Sequence, residues 1–126
     1  VGRVSCGEGP APHGPANAIM LPSVLKVLAP AVTKRLALLA VAAKGGKPGE
    51  RAAALAKKFL ASIEKMNRAV GIPAHLAALR EEDIPALAKA ACWEADTSYP
   101  VPQYPSPKSC ETILRGALVP PNRKRR

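Results

Sequence analysis

The chain has 126 residues, a hydrophobic fraction of 48% and a formal net charge of +10. That is one domain by length with an ordinary apolar content, and no run of about 18 uninterrupted apolar residues is present to cross a membrane. Its apolar residues are small: 24 are alanine and only Phe59, Trp93, Tyr99 and Tyr104 are aromatic, so burial per residue is low and the core should be thin.

Residues 1–12 (VGRVSCGEGPAP) are rich in glycine and proline, lack a period and read as loop. No signal-peptide pattern opens the chain. From Pro15 the pattern turns helical, since a first-turn proline loses only a donor that would be unpaired anyway. Ile19, Leu21, Val24, Leu25 and Leu28 continue the run. Pro22 should bend it and Pro30 should end it. A second helix is expected over 31–43 (AVTKRLALLAVAA), with Leu36, Leu39, Ala40 and Ala43 as its stripe. That segment is apolar nearly all round, as central bundle helices are. KGGKPG over 44–49 is a break.

The third helix, about 50–70, has the clearest period, with Leu55, Phe59, Ile63, Met66 and Val70 on one face. Gly71 suits a left-handed cap, and Pro73 follows. Residues 74–79 (AHLAAL) allow one short turn. Glu81, Glu82 and Asp83 then precede Ile84-Pro85, and three acids at a helix start suit capping and the macrodipole rather than paired catalytic work. Residues 95–107 form proline-punctuated coil. Ser106 and Pro107 are a good cap and first position for a last helix, 107–118, which carries Cys110, Ile113, Leu114 and Ala117. Nothing alternates like a strand. The expected fold is all-α, a helical bundle of five to six helices: an irregular segment 1–12, a helical domain 13–118 and a basic disordered tail 119–126.

Candidate chemistry is sparse. Cys6, Cys92 and Cys110 form no CxxC pair, and an odd, widely spaced set argues for a reducing, cytoplasmic compartment rather than a disulfide framework. Cys6 with His13 could be drawn as a nucleophile pair, but spacing alone gives it no geometry. His75 lies in a short apolar stretch and reads as a surface or partly buried residue more readily than as a ligand. His13 carries more: Gly14 beside it admits close approach, the following helix would exclude water, and Asn17 one turn on could orient a neighbour. A metal needs three or four donors, and no second histidine stands at workable spacing. The basic surplus, four of its residues being Arg123, Lys124, Arg125 and Arg126, leaves open a module that binds nucleic acid or another polyanion.

The run HGPANAIMLPSVLK resembles the HGxANAxxLPxVL segment of the iron-containing alcohol dehydrogenases. KRLALLAVAA is similar to that family's alanine-rich helix, AAALAKKFLASIEKMNRAVGIPAHL to its long helix ending in Gly-Ile-Pro, EEDIPALAKAACWEAD to its Glu-Asp-Ile-Pro helix, and SPKSCETILRGAL to its last helix. The likeness spans about residues 12–118. It implies part of the all-helical, dehydroquinate synthase-like C-terminal half of such an enzyme, whose other half binds a dinucleotide. It implies His13 as one of four metal ligands, the rest lying upstream in the family. The cofactors it implies are a divalent metal, Fe2+ or Zn2+, and NAD(P). The reaction it implies is oxidoreduction between an alcohol and an aldehyde or ketone. The partners it implies are a nucleotide-binding N-terminal half and a small alcohol or aldehyde, with no membrane. A chain with that half and most ligands missing is expected to be inactive alone. Gly9-Pro10-Ala11-Pro12, a short link between His75 and Glu81, and the RKRR tail depart from the family pattern.

Overall fold

In the computed structural model, which describes residues 13–98 and 100–120, Pro30 does not stop the first helix. Helix α1 runs His13–Ala42, through both proline positions. The interruption falls two residues past Pro30, at Val32 (φ −124°, ψ 18°), where the two predicted helices join as one bent rod. The proline ring crowds the preceding turn and withholds an N–H, so the axis gives way just after it. Thr33 bridges the bend by donating its Oγ1–H to the Ala29 carbonyl at 2.7 Å. At Pro22 the backbone keeps helical angles.

Helix α2 covers Ala52–Ala69, α3 Ile84–Ser98 and α4 Pro107–Gly116. A single 3-10 turn, Glu81–Asp83, leads into α3. The all-α class holds, with four α-helices among the described residues instead of five to six. The merger at Pro30 and a 74–79 turn too short to count as a helix account for the difference. Residues 74–79 make one short turn, the Leu79 N–H reaching the Leu76 carbonyl at 3.2 Å, and Leu76 also pairs singly with Leu118, its N–H reaching the Ala117 carbonyl at 2.8 Å. Helix α3 also runs four residues into the predicted coil. The expectations for residues 1–12 and for Arg123 to Arg126 lie outside the described residues.

The helix ends show how local sequence sets the turns. At the end of α2 the Gly71 N–H bonds the Arg68 carbonyl and the Ile72 N–H the Asn67 carbonyl, with Gly71 at φ +79°. This is the paired closing motif that favours glycine in the left-handed position. The end of α1 makes the same two bonds, Lys44 to Val41 and Gly45 to Ala40, but puts Lys44 at φ +56°. A lysine there carries strain that glycine does not. Ser106 caps α4 as expected, its Oγ accepting from the Ser109 N–H at 3.1 Å. Between α1 and α2 the Glu50 carboxylate accepts from the Lys47 N–H at 2.7 Å and from Lys58, and these bonds hold its pKa below the usual carboxylate value.

The helices bury two small cores. Ala37 and Ala40 of α1 meet Leu55 of α2, with Val41 and Phe59 packed alongside. Nearer the start of α1, Ile19 meets Leu79, Ile84 and Ala117, with Leu76, Leu87 and Leu114 around them. Ile84 is the largest fully buried side chain. The α2 stripe is half as predicted: Leu55 and Ile63 are buried, while Met66 (59% exposed) and Val70 (67%) point outward. Ala56 and Leu60 take their place, so the buried face lies rotated from the Met66–Val70 edge. Leu38 (72% exposed) and Leu39 are also open, so this half of α1 packs on one side only and is not central. Among the described residues no helix is long and apolar enough to cross a membrane.

Two stability tests follow from this packing. Replacing Lys44 with glycine relieves the left-handed strain, less glycine's greater chain entropy, and should raise the free energy of unfolding by about 0.5–1 kcal/mol in urea melts. Ile84→Ala should cost about 2–4 kcal/mol by the same assay, whereas Leu38→Ala should move stability by less than about 0.5 kcal/mol.

Candidate functional site

Pro22 leaves a vacancy inside α1, and that vacancy organises the start of the helix. Lacking an N–H, it cannot bond the carbonyl four residues back, that of Ala18. Asn67 of α2 donates to that oxygen instead, Nδ2 to O at 2.8 Å, across 49 residues of sequence. One residue further, Ile19 is buried against Leu79, Ile84 and Ala117. A polar tie and an apolar anchor therefore fix the second turn of α1, and the turn before it carries His13.

His13 opens the helix and is exposed. Pro15 and Ala16 complete the first turn, where the missing proline donor costs nothing. Asn17, four residues on, lies on the same face. Its Nδ2–H₂ donates to His13 Nε2 at 3.0 Å. That leaves an imidazole oriented by a local amide and reachable from solvent. Open space lies beside Gly14, where a Cβ would meet nothing within 4 Å.

A polar cleft of about 280 Å³ lies further along α1, on the side facing α2. Ser23, Lys26, Glu64, Asn67 and Arg68 line it, and His75, half-buried, closes one edge. Lys26 and Glu64 pair across it at 2.5 Å; both are substantially exposed, so the pair contributes little. Gly116 of α4 comes so close to this wall that a Cβ would stand 2.6 Å from Ser23 Oγ, which makes glycine the fitting residue there. His75 belongs to this cleft and His13 is not on its wall.

The other sequence candidates are accounted for by packing. Glu81 binds Arg115 of α4 at 2.6 Å and Glu82 approaches Arg80 at 3.5 Å. These acids make no side-chain cap bond to the 3-10 turn, so the expected capping hydrogen bond is absent and Glu81 instead ties that turn to α4. Cys6 lies outside the described residues, which leaves the Cys6–His13 pairing without geometry. Two features escaped the sequence reading. Cys92 and Cys110 sit with their sulfurs 3.0 Å apart. An apolar cavity of about 310 Å³ opens between α1, α3 and α4, walled by Met20, Val24, Leu28, Ala95 and Leu114 and bordered by Tyr104. The recurrence of Met20, Val24, Val27 and Leu28 at helical spacing was the available signal for that wall.

For a metal the test is the donor set. Among the described residues no three His, Cys, Asp or Glu side chains converge. A stable site takes three or four donors, so these residues do not by themselves fit a metal ion. His13 can contribute one donor to a site completed elsewhere.

Residues 6–118 match the sequence pattern of the Fe-containing alcohol dehydrogenase family, C-terminal. Over 82 residues, 64% of its length, the chain is 38% identical to the lactaldehyde reductase of Escherichia coli strain K12 and equally to that of Escherichia coli O157:H7. It spans only 22% of the length of those relatives. No solved structure matches it.

The bond that fills the proline vacancy is open to a double-mutant cycle. Asn67→Ala strands the Ala18 carbonyl and should cost about 1–3 kcal/mol. In a Pro22→Ala background the restored helical N–H serves that carbonyl, so the same change should cost measurably less. Equal costs in both backgrounds, by urea unfolding, would show that Asn67 acts some other way.

Proposed function

The chain belongs to the Fe-containing alcohol dehydrogenase family, as part of its C-terminal helical domain, and from that premise we propose that it supplies the helical, metal-facing portion of an NAD(P)-dependent oxidoreductase acting on a small alcohol or aldehyde. The observation that carries the reading is His13, which heads α1 inside the matched region with its ring held by Asn17. In this reading His13 is the one metal donor the chain provides, to iron or zinc. The remaining donors come from the part of the enzyme upstream of these residues, and the dinucleotide site from its nucleotide-binding half. Lactaldehyde, the substrate in the name of the Escherichia coli relatives, is the first compound to assay.

The chemistry divides accordingly. A bound nicotinamide would supply the hydride chemistry. This chain's residues hold an imidazole turned by Asn17, on a helix whose second turn is anchored in the core. One donor cannot retain a metal ion against water and buffer, so the chain alone is proposed to lack dehydrogenase activity.

The test uses the purified 126-residue chain with ferrous iron, NAD and a small diol, followed at the nicotinamide absorbance. No reduction above the blank is expected. When a separately produced nucleotide-binding half is added, metal should be retained through gel filtration, and His13→Ala should weaken that retention by at least about 100-fold. Turnover by the chain alone at the rate of an intact enzyme, or unchanged metal retention in His13→Ala, would overturn the proposal.

A further inference from the structure

Between α3 and α4 the described residues 100–106 form coil, and the two packed helices bring Cys92 and Cys110 together. The sulfurs lie 3.0 Å apart, at hydrogen-bond distance for two thiols. Cys110 is 5% exposed and Cys92 is half-buried. Neither is needed for the metal-facing end of α1, since both lie on the opposite pair of helices. Cys110 also forms part of the wall of the apolar cavity, on the α4 side.

Sequence spacing alone did not pair these residues, because the coil between them is long and irregular. In the fold the coil only has to return the chain, and the helix faces do the aligning. A disulfide requires its two Cβ atoms to approach from packed elements at close range. Two sulfurs 3.0 Å apart on packed helices stand close to that condition.

We propose that Cys92 and Cys110 form an oxidation site, closed to an intramolecular disulfide by oxidants of the low-molecular-weight disulfide class and reopened by thiols. The two sulfurs differ in access, which orders the steps. Cys92, the more accessible, attacks one sulfur of the oxidant as its thiolate; the oxidant's S–S bond breaks and one small thiol leaves. Cys110 then attacks the Cys92 sulfur of the mixed disulfide, the second small thiol leaves, and the Cys92–Cys110 bond forms. Each cysteine gives up one proton, and each departing small thiolate takes one. The protein is oxidised by two electrons and the small disulfide is reduced to two thiols. Burial and the hydrogen bond to Cys92 push the Cys110 thiol up to about 12, in keeping with its role as the second, sheltered partner rather than the first point of attack. Closure ties α3 to α4 and stiffens one wall of the cavity.

The experiment equilibrates the full chain in glutathione redox buffers of graded ratio, in native buffer and again in concentrated guanidinium, with intact-mass and linked-peptide analysis. The fold is the quantity under test: a packed pair should close at a glutathione disulfide content at least tenfold lower in native buffer than in denaturant. The expected product is a single species lighter by two hydrogens, its linked peptides containing Cys92 and Cys110. A Cys6→Ser variant should behave identically. Equal midpoints in the two buffers, linkage through Cys6, disulfides between chains, or glutathione adducts that never resolve would overturn the proposal. Cys92→Ser and Cys110→Ser should each abolish the two-hydrogen loss; its survival in either would do the same.

Discussion

One carbonyl oxygen governs the arrangement. Proline at position 22 denies Ala18 its helical partner, and a buried or half-buried carbonyl without a donor is costly. Asn67 answers from another helix at 2.8 Å. That bond does more than satisfy an acceptor. Because it is directional and crosses between helices, it sets how α2 lies along α1 at a point where an apolar contact would tolerate sliding. Ile19, the next residue, then meets Leu79, Ile84 and Ala117 in fixed register. Everything at the head of α1, His13 included, inherits its position from this pair of constraints.

The alanine-rich composition explains why so specific a tie matters. Alanine buries little area, so a helix pair such as Ala37 and Ala40 against Leu55 gains close approach more than hydrophobic free energy. Two small cores result in place of one large one. Large apolar side chains are left over: Leu38, Trp93, Val70, Tyr104 and Met66 are all more than half exposed. A chain with these features depends on caps, hydrogen bonds and cross-ties to hold its register. Ser106 at α4, Glu50 in the α1–α2 turn and the Glu81–Arg115 pair each supply one.

What could be read from sequence was local. Ser106-Pro107 and Gly71 announce helix ends through chemistry contained in three or four residues, and both stand where expected. The segment from His13 to Leu25 carried the family resemblance without any structure. What could not be read depended on residues far apart. Whether Pro30 ends a helix or bends it turns on what the next segment packs against. Whether Met66 and Val70 face inward turns on which side of α2 the Ala18 carbonyl captures. The Cys92–Cys110 contact and the placing of His75 in the polar cleft come from how the helices meet, and no spacing rule encodes them. Asn67 looked like one more polar position on a helix; only the vacancy at Pro22 gives it a purpose.

The bond between Asn17 and His13 bears on how one imidazole can serve a site that this chain does not complete. A neutral hydrogen bond at an exposed position contributes about 1 kcal/mol. That suffices to bias a ring toward one orientation, and it would be small beside a metal–nitrogen bond formed in the company of other donors. In the proposed function the other donors would hold the cation together with His13, and the Asn17 amide would give way to it. Without them, one coordination bond would not offset the water a cation gives up, and the amide would keep its place. Under that proposal the difference between the two states lies in residues contributed from outside this chain.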